Sequence, residues 1–291
     1  MAFDSTGEIK WQIPDGYYEQ VAQSDVDSRV HWAGRMLVAP VTGIMFGSPI
    51  IVMSKGFIDA RPEFPKGNIV IASTHRSDWE TVIQPAGFER VDLHHARPLA
   101  KLDPLFQGPV RRWTMHHLGS FAVDKRPGQA NMEEVLKATS GILSRGGIVN
   151  YYMEGTRVTD TPLTVKKGAI KVGGIVAAAV NNSLIVPTAL AGLSKVKEGE
   201  GKNRRTVEMD KRSWFGMKRP LVMAFEDPFR LERPSFDPEI LSLHPRKLSK
   251  VQRSANYEYL RFSAARVAAA MDAALRRAYE ERGSSLEKRA V

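Results

Sequence analysis

His75 stands three residues before Asp78 and five before Glu80, in the stretch Thr74-His-Arg-Ser-Asp-Trp-Glu80. A histidine held by a carboxylate is a general base: the acid fixes the tautomer and stabilises the imidazolium, while the other ring nitrogen takes a proton from a nucleophile. Ser77-Asp-Trp-Glu80 is also a capping-box pattern, with serine at the N-cap and glutamate three residues on. The two roles are compatible. A side chain in the first helical turn points back toward the helix start, and His75 lies just outside it. Glutamate has one methylene more than aspartate and so a longer reach. Glu80 is therefore the expected partner of His75, and Asp78 is expected to face solvent at the positive end of the helix dipole.

A second polar cluster, Glu154-Gly155-Thr156-Arg157, follows the apolar run Ile148 to Met153, just as His75 follows Asn68 to Ser73. Both runs read as buried strands. In open α/β sheets ligands bind beyond the carboxyl ends of strands, so two clusters placed there support each other. Arg157 and the pair Lys125-Arg126 are of a type that binds phosphate, arginine doing so bidentately. Each has an ordinary alternative: a salt-bridged turn for the Glu-Gly-Thr-Arg run, a solvated surface for Lys-Arg. The chain has no cysteine, which excludes thiol nucleophiles, disulfides and thiolate metal sites. His94-His95 and His116-His117 are adjacent pairs without His-x3-His spacing, so no metal is expected.

The elements that must position these groups read as alternating strands and helices. Asn68 to Ser73, Phe121 to Asp124, Ile148 to Met153, Ile185 to Leu190 and Leu221 to Phe225 are strand-like. Asn131-Met-Glu-Glu134 opens a helix that carries Val135, Ala138 and Ile142 on one face and stops at Gly146-Gly147. Ala255 to about Arg282 repeats apolar residues at helical spacing. The expected fold is α/β: a layered αβα domain with a mixed, largely parallel central sheet, preceded by an N-terminal helical segment that associates with a membrane. Residues 1–55 are assigned to that region and 56–291 to the domain, with Gly56 to Gly67 as a loop and 195–219 as a basic insertion.

The membrane expectation rests on Met36 to Ser54, 19 residues without a charge but broken by Pro40, Gly43, Gly47 and Pro49. A re-entrant or interfacial element fits that length and punctuation better than a clean span. A core helix followed by a strand fits equally well. The 291-residue chain has a net charge of +10, which attracts polyanions: nucleic acid, anionic lipid or phosphorylated ligands. Lys195 to Arg219 holds nine of the basic residues with Trp214-Phe215 among them; it is either a solvated loop or a surface for anionic headgroups. No nucleic-acid motif and no Gly-x-Ser-x-Gly elbow is present, so neither a nucleic-acid module nor a serine hydrolase is favoured.

The order of these pieces resembles the glycerolipid acyltransferase family, typified by 1-acylglycerol-3-phosphate acyltransferase (PlsC-like). Thr74-His75 through Glu80 resembles its first motif, Asn-His, four residues, then Asp. Gly119 through Asp124-Lys125-Arg126 resembles the second, with Lys101 upstream of it; Glu154-Gly155-Thr156-Arg157 matches the third, with Lys166-Lys-Gly-Ala169 after it; Val186-Pro187 resembles the fourth. The resemblance implies transfer of a fatty acyl group from an acyl-CoA or acyl-carrier-protein thioester to a lipid hydroxyl, most simply lysophosphatidate to phosphatidate. It implies His75 as base with Glu80 as its acid, and substrate binding by Lys101, Lys125, Arg126, Glu154, Gly155, Thr156 and Arg157. It also implies no cofactor, anionic membrane lipids and a lysolipid acceptor as partners, no nucleic acid, and a peripheral or monotopic position on the cytoplasmic face of the membrane. Three departures stand out: Thr74 for Asn, Glu80 for Asp, and Lys125 where Arg is the rule. Family members that act on glycolipids also carry Glu at the position of Glu80, so a glycolipid acceptor is the alternative.

Overall fold

The computed structural model describes residues 2–3, 9–24, 49–77, 80–117, 119–124, 132–155, 165, 170–193, 195–198, 205–208, 221–243 and 245–290. The chain begins with the pair β1 (Ala2–Phe3) and β2 (Ile9–Lys10), then α1 (Tyr17–Gln23), β3 (Ile50–Met53), α2 (Lys55–Ala60) and a 3-10 segment, Arg61–Lys66. Next come β4 (Ile69–Ser73), α3 (Glu80–Glu89), β5 (Arg97–Lys101), α4 (Leu102–Leu105), α5 (Pro109–His117) and β6 (Phe121–Val123). They are followed by α6 (Met132–Ser144), β7 (Ile148–Tyr152), α7 (Gly173–Val180) and β8 (Leu184–Ala191). The hairpin strands β9 (Lys195–Glu198) and β10 (Arg205–Glu208), then β11 (Val222–Phe225), two 3-10 segments, Pro238–Ser242 and Pro245–Lys247, and α8 (Lys250–Ala290) follow.

Seven strands form one sheet in the order β3-β11-β8-β4-β7-β5-β6. From β8 to β6 the strands are parallel; β11 runs antiparallel to β8, and β3 is parallel to β11. The run Ile69–Ser73 is buried throughout, as a parallel strand covered on both faces must be. Its alternation splits it between two cores. Val70 and Ala72 meet Val135 and Ile142 of α6, Ile175 of α7 and Met271 of α8. Ile69 and Ile71 meet Phe57 of α2, Phe64, and Ile83 and Phe88 of α3. The result is helix, sheet and helix in three layers.

Several sequence expectations change. Ile50–Met53, the end of the uncharged segment, is a strand on the edge of the main sheet, paired with Val222–Phe225; Met36 to Met45 and the residues up to 48 lie outside the described residues. α1 also belongs to the domain. Tyr18 donates its hydroxyl to the Ala122 carbonyl and Tyr17 accepts from the Ala122 N–H, each at 3.0 Å, so helix α1 covers the exposed edge of β6. Burial pushes the Tyr17 hydroxyl up to about 12, which keeps it neutral. The expected boundary at residue 55 therefore does not follow the sheet. Gly56 to Gly67 is helical rather than a loop, because Ser54 caps α2 by accepting the Phe57 N–H at 3.0 Å. The basic insertion contains the β9–β10 hairpin; Trp214 and Phe215 lie outside the described residues. The last helix starts five residues earlier and ends eight later than its apolar pattern indicates. Among the described residues no helix is long and apolar enough to cross a membrane.

Candidate active site

The parallel register aligns the carboxyl ends of the central strands. Ser73 pairs with Tyr152 on one side and Thr188 on the other. Past Ser73 the chain stays clamped: Thr74 N–H donates to the Thr188 carbonyl and Met153 N–H to the Ser73 carbonyl, both at 3.1 Å. Beneath, Ser73 donates to Asn150 Oδ1 at 2.6 Å, and Asn150 donates to Gln84 Oε1 at 3.2 Å. A polar network this buried fixes one arrangement of β4, β7 and α3.

His75 emerges from that clamp. The tautomer protonated at Nδ1 donates to Glu80 Oε2 at 3.1 Å, and the same oxygen accepts the Arg76 N–H at 2.8 Å. The helix α3 is described from Glu80 on, so the carboxylate reaches back over the entry turn. A capping box would place it on the N–H of Ser77; here it takes the N–H one residue earlier and the imidazole with it. Glu80 is buried at 0% exposure, while the His75 side chain keeps 13%. Asp78, the other acid of the motif, lies outside the described residues.

Glu154, at the corresponding end of β7, closes the arrangement. Its Oε2 accepts the His75 N–H at 2.8 Å and its Oε1 is 3.0 Å from Arg76 Nη2. Both side chains of this ion pair are fully buried. Burial pushes the Glu154 carboxyl above its ordinary range, and Arg76 opposes the rise. Glu154 thus holds the loop of the first motif to the third. Tyr152 lies against the imidazole with ring centroids 4.6 Å apart and donates its hydroxyl to Thr81 at 3.3 Å. Burial raises Tyr152 strongly, so its hydroxyl stays protonated. Gly155 takes φ 69°, and its N–H donates to the Tyr152 carbonyl at 2.8 Å. A Cβ there would lie 2.5 Å from Lys171 Cγ, which is why the turn after β7 uses glycine.

The structure thus brings together His75, Glu80, Glu154 and Gly155, with Lys101 on the same edge of the sheet at the exposed end of β5. Lys125, Arg126, Thr156 and Arg157 lie outside the described residues. Arg76 is the residue sequence reasoning missed. An arginine next to a helix start reads as surface, and its partner Glu154 is 78 positions away, so only the fold brings the two together. Among the described residues, His94 pairs with Glu89, and His116 packs on Trp11 and Phe106, both away from His75. Among the described residues no cluster of three or more His, Asp and Glu is arranged to hold a metal ion. A cleft of about 350 Å³ lies at the opposite edge of the sheet, where β5 and β7 begin, between Arg97, Arg145 and Ile148; it contains none of the site residues.

Chemically, a buried carboxylate on Nδ1 fixes the ring so that Nε2 is the nitrogen that accepts a proton. Glu80→Ala is expected to lower turnover about a hundredfold by releasing the ring and leaving imidazolium without its counter-charge. Asp78→Ala should change it far less. Initial-rate measurements on the two variants check this, and the reverse order would assign the acid to Asp78.

No curated protein matches the chain. Residues 57–191 match a family model described as Acyltransferase, a span running from α2 to the last residue of β8. The matched span contains His75, Glu80, Arg76 and Glu154, and the family it matches is the one that contains the PlsC-like glycerolipid acyltransferases.

Proposed function

We propose that the protein transfers a fatty acyl group from an acyl-CoA or acyl-carrier-protein thioester to the free hydroxyl of 1-acylglycerol-3-phosphate, giving phosphatidic acid at the cytoplasmic face of a membrane. The observation that carries this reading is the contact of His75 Nδ1 with Glu80 Oε2 at the carboxyl edge of a parallel sheet. His75 Nε2 takes the proton of the acceptor hydroxyl as its oxygen attacks the thioester carbonyl. The tetrahedral intermediate collapses with cleavage of the C–S bond, and the imidazolium returns its proton to the departing thiolate. Transfer is direct, and no enzyme nucleophile is required. Lys101 and, by their place in the sequence directly beyond β6 and β7, Lys125, Arg126 and Arg157 supply positive charge for the acceptor phosphate. The net charge of +10 suits both this ligand and an anionic membrane surface.

A second acceptor class, a glycolipid, is favoured by one observation: the first motif carries Thr74 and Glu80 rather than Asn and Asp. A panel of 1-acylglycerol-3-phosphate, glycerol 3-phosphate and glycolipid acceptors, assayed with one acyl-CoA, separates the two. Turnover is expected to be fastest with 1-acylglycerol-3-phosphate, and Arg157→Ala to raise its KM about tenfold, the loss of one charge-assisted contact. A faster glycolipid, or an unchanged KM, overturns the assignment.

A further inference from the structure

Nine large hydrophobic side chains are exposed among the described residues, and four of them gather at one edge of the fold. Val110 and Trp113 lie one helical turn apart on α5, 75% and 50% exposed. Met132 and Val172 are exposed at the starts of α6 and α7. Each of these three helices leads within a few residues into the amino end of a parallel strand, β6, β7 or β8. The helix starts must then lie at the carboxyl ends of the strands, the edge that holds His75. α5 itself leaves that edge shortly after Lys101.

The helix is built to hold an apolar ridge outward. Met115, on its opposite side, is buried in the core beside Phe106. Arg112 lies over the Trp11 ring, 5.3 Å from its centroid, which ties the helix to the segment before α1. Arg111 is exposed next to Val110, and Arg112 is half-buried. A tryptophan and an aliphatic residue flanked by arginines, on a protein of net charge +10, match the layered chemistry of an anionic bilayer surface: acidic headgroups outside, acyl chains beneath. A second copy of this chain would meet the apolar residues but would bring the same net charge of +10 against the arginines.

We infer that the ridge of Val110 and Trp113 on α5 inserts into the headgroup region of an anionic bilayer and holds the His75 edge of the sheet against the membrane. This deepens the lipid-acyltransferase reading and rests on it for its purpose, but binding is measured without turnover, so the two fail separately. The intact protein is sedimented with vesicles of phosphatidylcholine alone or of equal parts phosphatidylcholine and phosphatidylglycerol. It is expected to bind the mixed vesicles, and V110D/W113D to lower the partition coefficient about tenfold. V251D/F262D, at the exposed apolar positions of α8, should bind like the wild type. Because the aspartate variant risks misfolding, W113F is read as well: quenching by brominated lipid should fall relative to wild type. Turnover of V110D/W113D on detergent-dispersed acceptor should be retained. Absence of vesicle binding by the wild type, equal binding by V110D/W113D, or unchanged quenching in W113F overturns the inference. So does a dimer in solution that V110D/W113D abolishes, since the ridge would then be a protein interface.

Discussion

His75→Ala is expected to lower acyl-transfer turnover by about three orders of magnitude and to leave the fold intact. Both halves follow from the contacts. Removing the imidazole removes the group able to take the acceptor proton at this edge, and Glu80 does not replace it, being fully buried behind the ring with one oxygen already accepting the Arg76 N–H. The backbone contacts that hold the loop do not depend on the ring: the His75 N–H still donates to Glu154, and the strand clamps at Ser73 and Thr74 are main-chain bonds. What is lost structurally is the ring contact with Tyr152 and one hydrogen bond to Glu80, about 1–2 kcal/mol together. Initial rates with acyl-CoA and lysolipid, alongside a thermal melt, test the two halves separately. Full activity in the variant would sink the mechanism, whereas lost activity with a collapsed melt would make His75 a structural residue.

How far such a site can be seen in advance depends on the distance over which its parts are specified. Ile69–Ser73 is legible because a strand covered on both faces needs only apolar residues, and the run says so locally. Glu80 is legible for the same reason: its contact with His75 spans only five residues across one helix entry. β5 is not. Arg97-Pro-Leu-Ala-Lys101 has a proline and two cations in five positions, and it is a strand because Arg97 finds the carbonyls of Val21 and Ser24, 3.1 and 3.0 Å from its Nη1, while Ala100 and Lys101 pair with Ala122 and Val123. Ile50–Met53 ends an uncharged stretch that suits a bilayer as well as a core; its partner strand lies some 170 residues on, and no local feature announces the pairing. The same limit hid Arg76. Composition and periodicity report what a residue is, whereas a buried ion pair is a fact about two distant residues at once.

That pair gives the largest expected effect on stability. Arg76→Met should cost about 3–5 kcal/mol at neutral pH, the usual consequence of leaving one partner of a buried ion pair uncompensated. Glu154 is already held above its ordinary range by burial, with Arg76 working against the rise, so removing the guanidinium lifts the carboxyl further. The sign of the pH dependence follows. A carboxyl raised in the folded state is no burden at low pH, where it is protonated folded and unfolded alike, and becomes one as pH rises through the folded value and folding must bury a charge. The deficit of Arg76→Met relative to wild type should therefore widen from mildly acidic to mildly alkaline solution in urea unfolding. Arg76→Met/Glu154→Gln should recover most of the loss, because glutamine keeps an oxygen for the His75 N–H and leaves no buried charge. Turnover should fall in the single variant and return in part in the double, since the His75 loop regains its anchor. A single variant as stable as wild type, or a double variant no better than the single, would show that Glu154 holds the loop without help from Arg76.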